Sequence, residues 1–545
     1  MRSDLVRVYK SVHTWTGILA GMALFIAFYA GALTVFQEPI TRWASPPSAG
    51  RSVPLDAAPA LIARTLEARP DAARELTLHL HAAENLPPGV SWKVREEGAD
   101  DHDAFSARHY TATLDDAGGL DVEEVHPTQL AKFIDVLHRV VGLPADSDPN
   151  RWVMGVVAVL YAVALVSGVV VLLPSLVKDF FALRIGKNLK RMWLDAHNVV
   201  GIVSLPFHLV MALTAVVFAY HDGFYTLQGA LFPQGGVRAQ QARAAPPAGP
   251  ARNPADMLPP AELMARARAI NPDFEPYMLQ YQQIQGPRAA VRVWGRDESA
   301  LSPRAMGGFA ALDPYTGKVL SSDYLPGRQD GAHTTISSFF ALHMAAFGGN
   351  WVKWMYFLLG LAGAWLFYSG NLLWVETRRR KAQRGQDGTP AQRRDVRLLA
   401  AGTVGTCLGS VCGISLTIVA AKWLHGHVAD LNAWHRYVYY GVFFASLGWA
   451  FHRGAARAAV HLLWLAAGAT LAIPLTTLAA VLLPGLGLWA HASPAALGVD
   501  FTALAGALGF GWMARATARR AQSGPADSVW AAAPVAEEEG RKSYI

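Results

Sequence analysis

Cysteine is almost missing from this chain. Its two, Cys407 and Cys412, lie inside one apolar run. That excludes a disulfide framework, a CxxC redox pair and the CxxCH that attaches haem covalently. Charge is scarce as well. Only 16% of the 545 residues are charged against 52% hydrophobic, whereas soluble globular chains carry about a quarter charged residues. The deficit is concentrated in runs of about 20 apolar residues, the length that crosses ~30 Å of hydrocarbon, and no Asp or Glu is expected well inside them. No Gly-rich dinucleotide fingerprint follows a strand. No cleavable signal peptide is expected either, because the first run, His13 to Phe36, is too long for an h-region and lacks a small-residue cleavage site. The net charge of +7 forms no patch with interleaved aromatics, which argues against a nucleic-acid partner.

What is present reads as an α-helical integral membrane protein in a lipid bilayer. Eight spans are expected, at 13–36, 152–174, 197–221, 351–375, 397–421, 436–452, 457–484 and 497–514. The basic residues fall on one side if the N-terminus is cytoplasmic, among them Arg2, Lys10, Lys178, Lys187, Arg191, Arg378, Arg394, Arg453 and Arg519. An even number of spans returns the C-terminus to that side, so the expected location is a bacterial inner membrane with both termini cytoplasmic. The expected segments are a first helix within 1–40, a periplasmic module at 41–150, a helix at 151–175 and a cytoplasmic loop at 176–196. A helix at 197–221, a second module at 222–350, a helix at 351–376 and a loop at 377–396 follow. Four C-terminal helices at 397–517 and a disordered tail at 518–545 complete the chain.

Each long loop opens with a helical pattern, Ala57 to Leu66 and Pro260 to Ile270. Alternating stretches such as Glu75–His81 and Ala289–Gly295 then read as strands, giving two α+β modules. Ala239 to Pro254 is a low-complexity insert.

The first four spans look like one unit used twice. His13-Thr-Trp-Thr-Gly17 opens the first and His197-Asn-Val-Val-Gly201 the third. Leu137-His138 precedes the second and Leu342-His343 the fourth, and Ser167-Gly168 and Ser369-Gly370 close them. Such a long period signals duplicated architecture. The repeat places His13 and His197 at one face and His138 and His343 at the other. Two histidines at one depth on facing helices can ligate a haem iron axially, so two haems of b type are expected. Their propionates need cations: Arg139 and Arg151 outside, Lys10 and Arg191 inside. His208 is the alternative outer ligand, 11 residues beyond His197 and so about 16 Å along a straight helix and ~20° round it.

Together these pieces resemble the PepSY-associated transmembrane family. They are His13-x-Trp15-x-Gly17, His197-Asn198-x-x-Gly201, Leu205-Pro206-Phe207-His208, Leu137-His138-Arg139, Leu342-His343 and the Asp313-Pro-Tyr-Thr-Gly-Lys-Val319 turn typical of PepSY modules. The likeness covers about residues 1–380. It implies an iron-regulated inner-membrane protein similar to the di-haem ferric-siderophore reductases. It would take electrons from quinol or a separate cytoplasmic reductase and reduce iron held in a siderophore or another ferric chelate. This chain departs from the family in having Ala30-Gly31 and Thr214-Ala215 where relatives often have Thr-Gly, and in its four extra spans. Two rival functions remain: a non-redox regulator of an envelope protease, and an iron or chelate permease, for which the extra spans are the best argument.

Other residues carry blander expectations. His425 and His427 read as an exposed loop pair. His435 and His452 do not share a helix face, and His79, His81, His102, His109 and His126 read as solvated surface. The span-end aromatics read as an interfacial belt. Gly17, Gly21, Gly201, Gly360 and Gly363 read as close helix contacts.

Overall fold

In the computed structural model, the described residues are 3–47, 53–80, 89–95, 107–115, 118–177, 181, 189–221, 223, 251–302, 304, 307–380 and 391–532. They divide into two compact units. The first comprises Met1–Ser45, Thr128–Leu213 and Phe357–Ile545; the second comprises Pro46–Pro127 and Thr214–Tyr356.

The helices of the transmembrane region are α1 (Ser3–Thr34), α2 (Gln37–Ala44), α4 (Leu130–Arg139), α5 (Asp148–Leu172), α6 (Leu189–Val203), α7 (Leu205–Ala219), α10 (Gly349–Thr377), α11 (Arg394–Trp423), α12 (Leu431–Arg453), α13 (Ala455–Leu482) and α14 (Pro494–Ser523). Among the described residues six helices are long and apolar enough to cross a membrane, or seven if the bent pair α6–α7 is one span. The expected sixth span exists as α12, 23 residues long, but it is not among those six or seven.

The third span is not straight. Its two halves meet at Ser204 with a bend of 69°. Pro206 supplies no amide proton and its ring collides with the preceding turn. Ser204 adds to the bend by donating its hydroxyl to Val200 O at 2.6 Å. The straight-helix projection from His197 to His208 is therefore wrong for this chain.

The four C-terminal helices are built into the first unit. On α11, Gly405, Gly409 and Gly413 recur every fourth residue, and a Cβ on any of them would come within 2.8–3.0 Å of α12. This is the small-residue packing that lets membrane helices approach. Asn432 Oδ1 accepts from Gln129 N at 2.9 Å, and Asn371 Nδ2 donates to Thr403 Oγ1 at 3.1 Å. Two carboxylates lie near span ends, which agrees with the expectation that none lies well inside a span. Asp195 on α6 is buried. Asp500 on α14 accepts from Trp43 Nε1 at 2.9 Å and Thr477 Oγ1 at 3.0 Å. Beside it, the buried Lys422 ammonium lies 3.7 Å from the Trp43 ring centroid. The tail also departs from expectation: it packs as far as Ala532, with Trp530 buried and Asp527 paired to Arg379. Residues 533–545 lie outside the described residues, as does the insert at 239–250.

The second unit contains helices α3 (Ala58–Ala68), α8 (Pro260–Ile270) and α9 (Gly331–Met344), with strands β1 (Glu75–His79), β2 (Gly89–Val94), β3 (Arg108–Leu114), β4 (Leu120–Val125), β5 (Glu275–Gln282), β6 (Ala290–Arg296), β7 (Gly308–Leu312) and β8 (Val319–Ser321). The sequence suggests two separate modules, but the strands form one antiparallel sheet in the order β4-β3-β2-β1-β5-β6-β7-β8. The halves join where β1 pairs with β5, Leu78 opposite Leu279. Alternate residues, including Leu76, Leu78, Trp92, Leu279, Tyr281, Val291 and Val293, make one core with Leu61 and Ile62 of α3 and Leu263 of α8. Each such side chain contributes about 1.5–3 kcal/mol by leaving water. His79, expected to be solvated, is partly buried and its Nε2 lies 2.9 Å from Ser91 Oγ; burial pushes it down to about 4. His81 and His102 lie outside the described residues.

The Asp313 turn anchors the second half of the sheet. Arg252 donates to both Asp313 oxygens at 2.8 and 2.9 Å, and the backbone amides of Tyr315 and Thr316 donate to Oδ1. Burial works against the carboxylate, but Arg252 and those amides hold it down at about 2. Because the folded value lies below the ordinary 3.8, the stabilisation is complete above pH ~4 and is lost as pH falls through ~2. Asp313→Asn is expected to cost about 2 kcal/mol and to abolish that acid-dependent part. Hydrogen exchange at β7 in the full-length protein, from pH 5 to pH 2, measures both; unchanged protection in the variant refutes the anchor.

Candidate functional site

The sequence-predicted histidines share one local geometry. His13 Nδ1 lies 2.8 Å from Ala164 O on α5, and His138 Nδ1 lies 2.8 Å from Ala27 O on α1. A carbonyl only accepts, so in both rings Nδ1 carries the proton and the lone pair is at Nε2. His197 Nδ1 lies 2.9 Å from Ser369 Oγ, whose own proton goes to Leu366 O at 3.0 Å. That hydroxyl must therefore accept from His197, and the same tautomer follows. In the second unit, His343 Nδ1 lies 2.8 Å from Thr214 Oγ1. All four rings are thus held through Nδ1 by an oxygen on another helix.

Small residues make these contacts possible. A Cβ on Gly168 would come within 2.9 Å of the His13 ring, and one on Gly31 within 2.7 Å of His138 Nδ1. Gly370 lies against His197 Cε1, where a Cβ would stand 3.8 Å away. The altered Ala30-Gly31 and Thr214-Ala215 positions are therefore the supports of His138 and His343. The repeat reappears in the structure as two pairs of equivalent contacts: His13 and His197 against the Ser-Gly positions, and His138 and His343 against the other two.

Gly17 and Gly201 differ from expectation. Each lies one turn beyond its histidine on the same helix face, and a Cβ there would meet nothing within 4 Å. They do not mediate helix contact but leave open space beside His13 and His197. His197 lies in the neighbourhood of both His13 and His208. His208 is buried at 3% exposure, its Nδ1 lies 2.6 Å from Tyr161 Oη, and its Nε2 is buried without a partner. Tyr161 and the anchors Ser369 and Thr214 are positions that sequence reasoning did not assign to the histidines. The signal available for the last two was their place in the repeat.

The predicted cations are less free than expected. Arg139 stands 3.1 Å from Asp135 and 2.7 Å from the buried Asp146, and Arg151 donates to Asp146 at 2.8 Å. Burial opposes the Asp146 carboxylate, yet Arg151 and Arg139 hold it below the usual carboxylate range. With Lys132 on Asp135, three cations face two carboxylates. Lys10 and Arg191 are exposed.

Elsewhere, His425 packs on Trp489 with ring centroids 5.0 Å apart. His435 is fully buried with neither ring nitrogen partnered, and His452 is exposed. Among the described residues no group of three or more His, Cys, Asp or Glu converges to hold a metal ion, so the histidines remain candidates in pairs.

Residues 10–377 match the PepSY-associated TM region. The chain belongs to this family. The match ends on the last residue of α10, so α11–α14 of this PepSY-associated membrane protein lie beyond it. No curated protein matches the chain.

The residues present fit a bis-histidine haem on three counts: Nδ1–H fixed by helix oxygens, open space beside Gly17 and Gly201, and a buried unpartnered Nε2 on His208. A hydrogen bond at the ring nitrogen remote from the metal orients a ligating imidazole and raises its basicity.

Proposed function

We propose that this protein is a di-haem b electron-transfer protein of a bacterial inner membrane, reducing ferric chelates of the siderophore type with electrons from quinol or a cytoplasmic reductase. The duplicated histidine geometry supports the reading: in both halves of the repeat the rings are held at Nδ1 by an oxygen of another helix, and His208 Nε2 is buried without a partner.

In this reading His13 and His197 hold the inner iron. His138, His208 and His343 are the candidates for the outer one, with His208 favoured by its unpartnered Nε2. Haem, when bound, supplies one-electron couples whose potentials depend on ligand and burial. The protein's own part is to fix the imidazoles, exclude water and place positive charge near the propionates. The Arg139–Asp146–Arg151 network leaves one net positive charge for that purpose, and Lys10 and Arg191 lie at the basic end. Fe(II) binds hard-oxygen chelators far more weakly than Fe(III), so one electron is enough to release the metal.

The visible spectrum of the purified protein tests this. A sharp Soret band with split α and β bands on reduction is expected, at two haems per chain. A colourless preparation from haem-replete cells would sink the proposal and favour the protease-regulator reading. The four C-terminal helices, with Lys422 buried and Asp500 partly buried near their ends, favour the permease as the second reading. Chelate-dependent iron uptake into vesicles without any reductant would support it.

A further inference from the structure

Two arginines of the second unit stand together with one carboxylate, Glu75, in electrostatic range. Arg292 is on β6 and Arg304 in the β6–β7 connection, close enough for each to feel the other's charge. Neither forms an ion pair or a side-chain hydrogen bond among the described residues. Burial works most against the charge on Arg292; Glu75 supports that charge and Arg304, a smaller effect, opposes it. Glu75 is itself engaged, accepting from Gln280 Nε2 at 3.1 Å.

Rings hold the two guanidiniums in place. Arg292 Cζ lies 5.0 Å from the Phe309 centroid; Arg304 Cζ lies 4.3 Å from Phe340 and 5.6 Å from Tyr324. Phe309 and Tyr324 are stacked at 5.2 Å, so one aromatic floor carries both cations. Cation–π contact contributes about 0.5–2 kcal/mol but neutralises nothing. Two like charges kept half-buried over rings suit a multiply charged anion. Its oxygens can accept guanidinium N–H groups in pairs. The rings then lead on to a candidate ligand: Phe340 lies 4.8 Å from Phe218, and Phe218 lies 5.1 Å from the His343 ring.

We propose that Arg292 and Arg304 form the binding site for an anionic aromatic ferric chelate of the tris-catecholate type, next to His343. The identity of the ligand rests on the reductase reading; the binding of a multiply charged anion does not. The specificity follows from charge: a neutral trihydroxamate chelate offers these arginines nothing comparable.

The test is calorimetric titration of the full-length protein in detergent with a ferric tris-catecholate and with a neutral ferric trihydroxamate. The catecholate is expected to bind at least about tenfold tighter, with affinity falling as salt rises. Arg292→Gln and Arg304→Gln should each weaken it about tenfold and leave the trihydroxamate unchanged, while Arg292→Lys should retain part of the affinity. Circular dichroism confirms that the variants keep the sheet. Equal affinity for the two chelates overturns the proposal, as do variants that bind like wild type. So does arginine-dependent binding of phosphatidylglycerol nanodiscs where the chelate fails to bind, since that makes the pair a lipid site. A haem-free protein that still binds the catecholate refutes the reductase and spares this site; a haem-loaded protein that does not bind it refutes the site alone.

Discussion

His197→Ala should purify with one haem per chain instead of two, and His13→Ala should lose the same one. The double variant should lose no more than either single. One iron needs two axial nitrogens, so removing either partner ends low-spin bis-histidine ligation at that site. The effects of two residues acting on one iron are therefore strongly non-additive. Ser369→Ala should act more mildly. It leaves the His197 ring in place but removes the oxygen that fixes its tautomer, a class of change that costs roughly 10–100-fold in metal affinity. The pyridine haemochrome assay and the reduced-minus-oxidised spectrum measure these outcomes. Full haem retention in His197→Ala refutes the inner pair, and a double variant that loses both haems refutes its independence.

The second large effect is steric. Gly201→Leu and Gly17→Leu should abolish the inner haem while leaving the helices at least as stable. Leu is the better helix former by ~1 kcal/mol, and the new side chain has open space to enter. A porphyrin beside His13 and His197 would need that space. If the space only faces lipid, both variants keep their haem and melt no lower than wild type, and this reading is refuted. Gly168→Leu serves as the comparison. Its Cβ would collide with His13 at 2.9 Å, so it should lose the haem and destabilise the α1–α5 contact together.

Much of the membrane part was legible because the signals are long and redundant: 20-residue apolar runs and basic flanks do not depend on detail. The boundaries of α8 matched the expected Pro260–Ile270 because a proline at the first turn and a polar end mark it locally. The third span was misjudged where one residue decides the geometry, since hydropathy is blind to the bend at Pro206. The partners of Asp500 were not legible, because Trp43 and Thr477 are remote from it in sequence. The histidines were found through repetition, but their supports were not, because a glycine reads alike whether it faces a ring, as Gly168 does, or open space, as Gly201 does. The join between the two halves of the sheet was invisible for a related reason: β1 and β5 look like any other half-buried strands, and nothing local says that they pair.

That join bears on how the protein can be inherited and divided. Cut between its two repeats, each piece would carry a bare strand, β1 or β5, with its row of amides and carbonyls exposed, an edge prone to pair with any neighbour. Two separately made halves would face both self-pairing and mispairing before they found each other. The duplication is therefore held in a single polypeptide by the sheet as much as by the membrane helices, and the halves can diverge in side chains far more readily than they can separate.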